Sequence, residues 1–321
     1  MKKFKPIIII EGEPKSIFLE IFFKAINLNK IKSPILLICS KKRVFSYLKK
    51  IKYKILINEI NNLKFIKNEI DKNKINLIDV DYSIKSKINK ISYESKKYIE
   101  KCFDIAINLL KKNFSNKFIN GPISKKNFLK GKEFGITEYL AKKMKVKNFA
   151  MLIFNNEISV CPITTHIPVK NISKSLNKHQ IVSKIKLINK FYKDFKMKKP
   201  NIALTGLNPH CESFHKNNEE EKIIIPSIKL LRKKRINIDG PISADTAFMN
   251  NVRKKYDVIV GLYHDQVLTP MKALYEFDAI NITLGLPFIR ISPDHGPNEK
   301  MIGKNLSNPL SLKKAIEFLD F

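Results

Sequence analysis

No apolar run in this 321-residue chain approaches the roughly 20 residues that a membrane-spanning helix needs. The opening residues 1–10 set basic residues before an apolar stretch, as a signal peptide does. That stretch stops at Glu11, however, and no small-residue cleavage site follows. It reads as a first buried strand, and a cytoplasmic location is expected. Paired cysteines are also missing. Cys39, Cys102, Cys161 and Cys211 share no CxxC or similar spacing, which argues against a disulfide framework or a thiolate zinc site and for buried thiols. There is no G-x-G-x-x-G, no Walker loop and no G-x-S-x-G. A standard Rossmann turn and nucleophilic-serine chemistry are therefore without support. Acidic residues are scarce as well, 29 Asp and Glu against 61 Lys and Arg, for a formal charge of +32.

Taken alone, that charge points to nucleic acid or an anionic membrane. Only five of the basic residues are arginine, whereas bidentate reading of bases and phosphates favours the planar guanidinium fork. The lysines are spread over nearly every expected helix and travel with abundant Ile and Asn, the pattern of A/T-rich codon drift. No specific nucleic-acid partner is expected. What remains is a positive field that steers phosphorylated substrates inward.

What is present is an α/β pattern. The 44% hydrophobic content supports a substantial core, and the length suits about two domains. Apolar runs alternate with amphipathic stretches in βαβ order. Strands are expected over 7–10, 35–39, 75–80, 149–154, 202–207, 258–262 and 279–283. Helices are expected over 17–26, 93–112, 137–144, 178–195, 226–234 and 312–319. Ser92 is the expected N-cap of the second helix, with Glu94 in its first turn. No internal repeat or long Gly/Ser/Pro linker divides the chain, so two domains would share elements. Residues 51–90 are the least informative.

Three of the six histidines are placed alike. His166 follows Cys161-Pro-Ile-Thr-Thr, His210 follows an expected strand through Asn208-Pro209, and His264 follows another through Tyr263. Open α/β sheets bind ligands beyond the carboxyl ends of their strands. Three neutral imidazoles converging there would bind a divalent metal and leave positions open for water or substrate. A lone histidine in such a place is usually structural; three weigh the two readings evenly. His179 falls within a helical pattern and reads as a surface residue, and His215 lies in a polar stretch over 212–222.

The segment 281–296 gathers Gly, Pro, Arg, Asp and His where the rest is Lys and Ile. Its Arg290 suits phosphate or carboxylate, with Lys272 and Asn281 able to complete an anion pocket. A structured loop with one internal ion pair is the alternative. Asp245 serves equally as a helix N-cap or a site carboxylate. The turn Asn120-Gly-Pro-Ile-Ser-Lys125 follows a short strand and offers backbone N–H groups and a lysine.

Taken together, Thr164-Thr-His-Ile-Pro, Gly206-Leu-Asn-Pro-His210, Gly240-Pro-Ile-Ser-Ala-Asp245-Thr, Tyr263-His-Asp-Gln266 and Asn281-Ile-Thr-Leu-Gly-Leu-Pro-Phe-Ile-Arg290 occur in the order of the 4-hydroxythreonine-4-phosphate dehydrogenase family. Asp294-His-Gly and Gly12-Glu-Pro fit too. The resemblance runs from near residue 6 to about residue 316, dense after Asn120 and thin between Pro14 and Tyr93. It implies two α/β/α domains around a central cleft, similar to isocitrate and isopropylmalate dehydrogenases. Residues 1–125 plus 280–321 would form a discontinuous first domain. Residues 126–279 would form the second, carrying most metal ligands and the dimer interface.

The resemblance further implies NAD (or NADP) bound without the glycine fingerprint, at residues it does not specify. It implies a divalent metal (zinc, magnesium or cobalt) on His166, His210 and His264, shared across a homodimer with His264 from the partner. Substrate would be held by Lys272, Asn281 and Arg290, with Thr137 on the phosphate side and Asp245 and Lys272 as catalytic groups. The implied reaction oxidises 4-phosphohydroxy-L-threonine to a 3-keto acid. That product decarboxylates to 3-amino-2-oxopropyl phosphate, for pyridoxal 5'-phosphate synthesis.

The chain departs from the family pattern in places. Ile136 replaces a histidine in Gly-His-Thr-Glu, Cys211-Glu-Ser-Phe replaces glycines after Asn-Pro-His, Val267 follows His-Asp-Gln, and Ser124 stands where histidine is common. Two alternatives stay open. One is a relative acting on another phosphorylated four-carbon acid, such as a threonate or erythronate phosphate. The other is a decayed scaffold that binds polyanions.

Overall fold

The computed structural model describes residues 4–28, 30–51, 54–82, 93–124, 128–129, 135–212, 218–293 and 295–321. Ser92, Lys125, His215 and Asp294, singled out above, lie outside the described residues. The chain divides into two compact units: Met1–Lys132 with Pro287–Phe321, and Glu133–Leu286. Among the described residues no helix is long and apolar enough to cross a membrane.

The first unit holds β1 (Ile7–Ile10), β2 (Ile35–Cys39), β3 (Ile57–Glu59), β4 (Ile75–Asp79), β5 (Lys117–Asn120) and β12 (Ile289–Pro293), in the order β3-β4-β2-β1-β5-β12. Every pairing is parallel. Helices on both faces of a parallel sheet bury its strands completely, which is why β1 and β2 read as unbroken Ile and Leu instead of alternating. The helix Phe18–Asn27 turns Phe18, Phe22 and Phe23 into the core and packs on the helix Leu310–Leu319. Successive strands lie on opposite sides of β1, so the topological switch falls between β1 and β5. Their carboxyl ends meet there through two glycines. A Cβ on Gly12 (φ +78°) would lie 2.6 Å from the Pro122 oxygen, and one on Gly121 only 2.0 Å from the Glu11 oxygen. No other residue type fits either place.

Two carboxylates are buried beside this junction. Glu11 is fully buried, with Arg43 at 2.9 Å, the Tyr98 hydroxyl at 2.5 Å and the Cys39 thiol at 3.2 Å. Burial, then the Glu11 charge, pushes the Cys39 thiol well above its ordinary range. All four cysteines are free thiols, three of them buried. Glu13 is also fully buried. Burial raises its pKa to about 7; the Lys15 amide opposes this, and the Glu299 and Glu11 charges add to it. The folded state thus keeps a proton on Glu13 up to about pH 7 that the unfolded chain loses near 4.5, so this residue costs stability as pH rises through that window. Glu13→Gln is expected to unfold about 2–3 kcal/mol less readily than wild type at pH 8 and equally at pH 4, by urea titration. A gain of the same size at both pH values would contradict this account.

The second unit holds β6 (Ala150–Phe154), β7 (Ser159–Pro162), β8 (Ile202–Thr205), β9 (Ile238–Ile242), β10 (Val258–Gly261) and β11 (Ile280–Leu284), in the order β11-β6-β7-β10-β8-β9. The β11–β6 and β6–β7 pairs are antiparallel, and the other three parallel. Its core gathers Met151, Ile153, Val160, Ala203, Ile259, Val267 and Met271. The helix Lys178–Lys196 is capped by Asn177, whose side chain accepts from the Gln180 amide at 2.9 Å, and buries Ile181, Ile185, Ile188 and Phe191 at helical spacing.

Two helices of eight or more residues, Lys41–Leu48 and His264–Tyr275, lie outside the expected pattern. His264–Tyr275 is helical despite Pro270 in its interior and buries only Val267 and Met271, so neither propensity nor apolar periodicity marks it. β3, β7, β9 and β12 also escaped the pattern. β7 has four residues, β9 contains Gly240-Pro241, and β12 carries Arg290 within what reads as a polar loop.

Candidate active site

The three histidines follow three neighbouring parallel strands of the second unit. β7, β10 and β8 lie side by side, and the chain leaves their carboxyl ends through Thr164-Thr165-His166, Tyr263-His264 and Asn208-Pro209-His210. Hydrogen bonds extend the first pair beyond the strands. The Ile163 amide donates to the Gly261 carbonyl at 2.8 Å, and the Thr164 hydroxyl to the Leu262 carbonyl at 2.8 Å. The rings of His166 and His264 end 5.7 Å apart, tilted by 42°. Two imidazoles on one tetrahedral ion would place their centroids about 5–6 Å apart, so this pair fits a shared ion.

Each ring also has a carboxylate at Nδ1. Asp265 Oδ1 lies 2.6 Å from His264 Nδ1, and Glu138 Oε1 lies 3.9 Å from His166 Nδ1. A carboxylate behind Nδ1 is the usual companion of a ligating imidazole, because it leaves Nε2 to hold the lone pair. Burial pushes the Glu138 carboxyl up, but the His166 ring and the amide at the start of its own helix outweigh that and hold it below the usual range.

His210 stands apart from this pair. It is exposed, with a left-handed φ of 56°, and the neighbouring Cys211 has φ 62° where the family pattern has glycine. Such a backbone costs a non-glycine residue about 1–2 kcal/mol. The turn is held by Glu220, a buried carboxylate that accepts from the amides of Leu207 (2.8 Å) and Asn208 (2.9 Å) and from the Asn208 side chain (2.7 Å). Gln266 ties this turn to the His264 turn: it donates to the Gly206 carbonyl at 2.8 Å and accepts from the Leu262 amide at 2.7 Å and the Thr205 hydroxyl at 2.9 Å. Among the described residues no three His, Cys, Asp or Glu side chains of one chain cluster closely enough to hold a metal.

The remaining candidates fall into separate groups. Thr137, buried in the first turn of the helix Ile136–Lys143, has its hydroxyl 3.3 Å from that of Thr283 on β11. Asn281, two residues before Thr283 and on the same strand face, keeps its side-chain oxygen buried with no hydrogen-bond partner among the described residues. A buried acceptor of this kind calls for a donor. Lys272 lies on the helix His264–Tyr275 and reaches the Glu276 carbonyl at 3.4 Å. Asp245 is exposed and accepts from the Thr246 amide at 2.9 Å, capping a turn and no helix. Arg290 belongs to the first unit. It is almost completely buried, and its Nε donates to Asn120 Oδ1 at 2.7 Å. In the same unit Ser16, Lys42, Arg43, Tyr47, Tyr82 and Gly303 line part of a cavity of ≈ 550 Å³.

Sequence reasoning passed over Glu138, Asp265, Gln266 and Glu220, although three of them sit inside quoted motifs. Their neighbours offered a signal, since Glu138 stands in a helix first turn and Asp265 beside a histidine. Nothing in the sequence marked Glu220, which lies in a run of surface charge.

The family described as pyridoxal phosphate biosynthetic protein PdxA matches residues 30–319. The chain is 38% identical over 315 residues to the 4-hydroxythreonine-4-phosphate dehydrogenase of Sulfurihydrogenibium sp. (strain YO3AOP1), covering 95% of this chain and 94% of that one. It is 35% identical over 184 residues to the D-threonate 4-phosphate dehydrogenase of Pectobacterium atrosepticum, 57% of this chain and 56% of that one. Among solved structures, the 4-hydroxythreonine-4-phosphate dehydrogenase of Klebsiella pneumoniae superposes with a TM-score of 0.84 at 27% identity, covering 98% of this chain and 97% of that one. The isocitrate dehydrogenase of Methylococcus capsulatus shares the fold alone, with a TM-score of 0.51 at 10% identity over 98% of this chain and 84% of that one.

Proposed function

The chain belongs to the PdxA family of pyridoxal phosphate biosynthetic proteins, and on that premise we propose that it is a metal-dependent 4-hydroxythreonine-4-phosphate dehydrogenase using NAD. The observation that carries this reading is the His166–His264 pair, 5.7 Å apart at the ends of adjacent strands. In the reaction the substrate's secondary alcohol becomes a ketone: its C–H leaves as hydride to NAD and its O–H proton goes to a base. The 3-keto acid then loses carbon dioxide, because the adjacent carbonyl accepts the electrons of the breaking C–C bond, and protonation gives 3-amino-2-oxopropyl phosphate. A divalent ion at the site supplies Lewis acidity toward the hydroxyl, and the dinucleotide supplies the hydride acceptor.

The chain's own residues bind and orient. His166 and His264 hold the ion, and Asp265 and Glu138 back them. His210 completes the set of three imidazoles, and the resemblance assigns His264 to the partner of a homodimer. The buried Asn281 oxygen accepts a substrate N–H or O–H, with Thr137 on the phosphate side. Arg290, whose Nε donates to Asn120, binds an anionic end of the substrate. Asp245 and Lys272 are the groups that exchange protons with substrate.

A second reading is favoured by Ile136. It is buried and apolar at the start of the Thr137 helix, so a donor that the family pattern places there is gone. A phosphorylated four-carbon acid that does not rely on that donor, such as D-threonate 4-phosphate, would suffer less from its loss. The test follows NADH formation from both substrates with added zinc, cobalt or magnesium, with and without a chelator. Faster turnover of 4-phosphohydroxy-L-threonine, stopped by chelation, is expected. The reverse ranking selects the second reading. No turnover of either by folded, metal-loaded protein sinks both and returns the polyanion scaffold.

A further inference from the structure

We propose that Glu138 is a positioning residue that sets the tautomer of His166, keeping its proton on Nδ1 so that Nε2 would have its lone pair free for a metal ion. The role builds on the reading of His166 as a metal ligand, but the tautomer itself is measurable without metal or turnover. Three side chains and one glycine make the arrangement. The chain enters the helix Ile136–Lys143 through Gly135 in an extended conformation, φ −166°, ψ 176°, which brings Glu138 in the first turn back over it. A Cβ at Gly135 would lie 2.6 Å from Glu138 Oε2 and 3.2–3.3 Å from His166 Cε1 and Nδ1. Carboxylate and imidazole thus press against the same bare Cα, and only the missing side chain lets them approach.

Glu138 is also braced toward that ring. Its Oε1 accepts from the Thr165 hydroxyl at 3.3 Å, and Thr165 directly precedes His166. Its Oε2 is buried and has no hydrogen-bond partner among the described residues, and His166 Nδ1 is buried with it. Buried carboxylate oxygens are satisfied by donors. The 3.9 Å between Oε1 and Nδ1 is longer than a hydrogen bond, and a shift of about 1 Å closes it. A neutral imidazole has one N–H and one lone pair, and the partner of one nitrogen decides which role the other takes. His264 shows the same arrangement completed, with Asp265 at 2.6 Å from Nδ1. A carboxylate that merely favoured the helix N-terminus would have no influence on the ring.

The test uses the full chain, stripped of metal and labelled with 15N, and long-range ¹H–¹⁵N spectra that report the tautomer of each histidine. The His166 signals are those lost in His166→Gln. The wild type is expected to carry the His166 proton on Nδ1. Glu138→Ala should shift it toward a mixture, and Glu138→Gln, whose amide oxygen still accepts, should keep it. Gly135→Ala, which retains the carboxylate but displaces it, should behave like Glu138→Ala. Cobalt(II) titration should show affinity falling about 10–100-fold in Glu138→Ala and much less in Glu138→Gln. A tautomer unchanged in Glu138→Ala with cobalt affinity within about twofold of wild type would overturn the role, as would a wild-type proton on Nε2. A tautomer that follows Glu138 in a chain that binds no cobalt would uphold the positioning and remove the metal reading instead.

Discussion

His264→Ala is expected to leave the protein folded and to lower kcat/KM for NADH formation by about 10³-fold or more. The fold should survive because the ring is not part of the core. Its side chain is one-third exposed, it lies at the start of a helix without serving as the cap, and it meets Asp265 and the His166 ring. Truncating such a residue changes stability by about 1 kcal/mol or less. Activity should fall because the reading gives the alcohol's oxidation an ion held by this ring, and Lewis acidity is worth several kcal/mol in the transition state. Cobalt binding should weaken in parallel. His179→Ala, on the helix Lys178–Lys196, should leave activity as it is. A His264→Ala protein within tenfold of wild type would show that the imidazole pair is structural.

Arg43→Met should destabilise the chain by about 3–5 kcal/mol in urea or thermal unfolding. Arg43 faces Glu11 at 2.9 Å, and the Glu11 side chain is almost wholly buried. Removing the guanidinium leaves a carboxylate inside the sheet with only the Tyr98 hydroxyl and the Cys39 thiol for company. A buried charge left alone costs its full desolvation, which is why breaking such a pair is far worse than replacing it. The double variant Glu11→Gln, Arg43→Met should recover most of the loss, and that recovery assigns the cost to the stranded charge. If the double variant is as unstable as the single one, lost packing around Arg43 is responsible.

The strands that positioned the site were legible where the sheet buries both faces. Runs such as Ile7–Ile10, Ile35–Cys39 and Val258–Gly261 need only hydrophobicity to declare themselves. The amphipathic Lys178–Lys196 helix declared itself by its 3.6-residue period. Elements fixed by their neighbours were not legible. β7 exists because β6 and β10 hold it, and the helix His264–Tyr275 carries a proline and has two buried residues. The boundary between the units was similarly hidden. β11 pairs antiparallel with β6, Ile280 opposite Phe154, and so belongs with the second unit, a matter of pairing that no local pattern records.

The same division holds for the site. The sequence by itself determined the parts: histidines just past apolar strands, a rare arginine among lysines, and ordered motifs that named the family. Residue type and spacing along the chain are local properties, and they are enough for that. Only the tertiary structure decided the company each part keeps. It set His166 beside His264 and left His210 apart, put Glu138 behind one ring and Asp265 behind the other, and anchored Arg290 on Asn120. These contacts follow from the order in which β7, β10 and β8 lie in the sheet and from how β12 docks on β5. Strand order is settled by the burial and hydrogen bonding of the whole sheet at once, so it is written in no single segment of the chain.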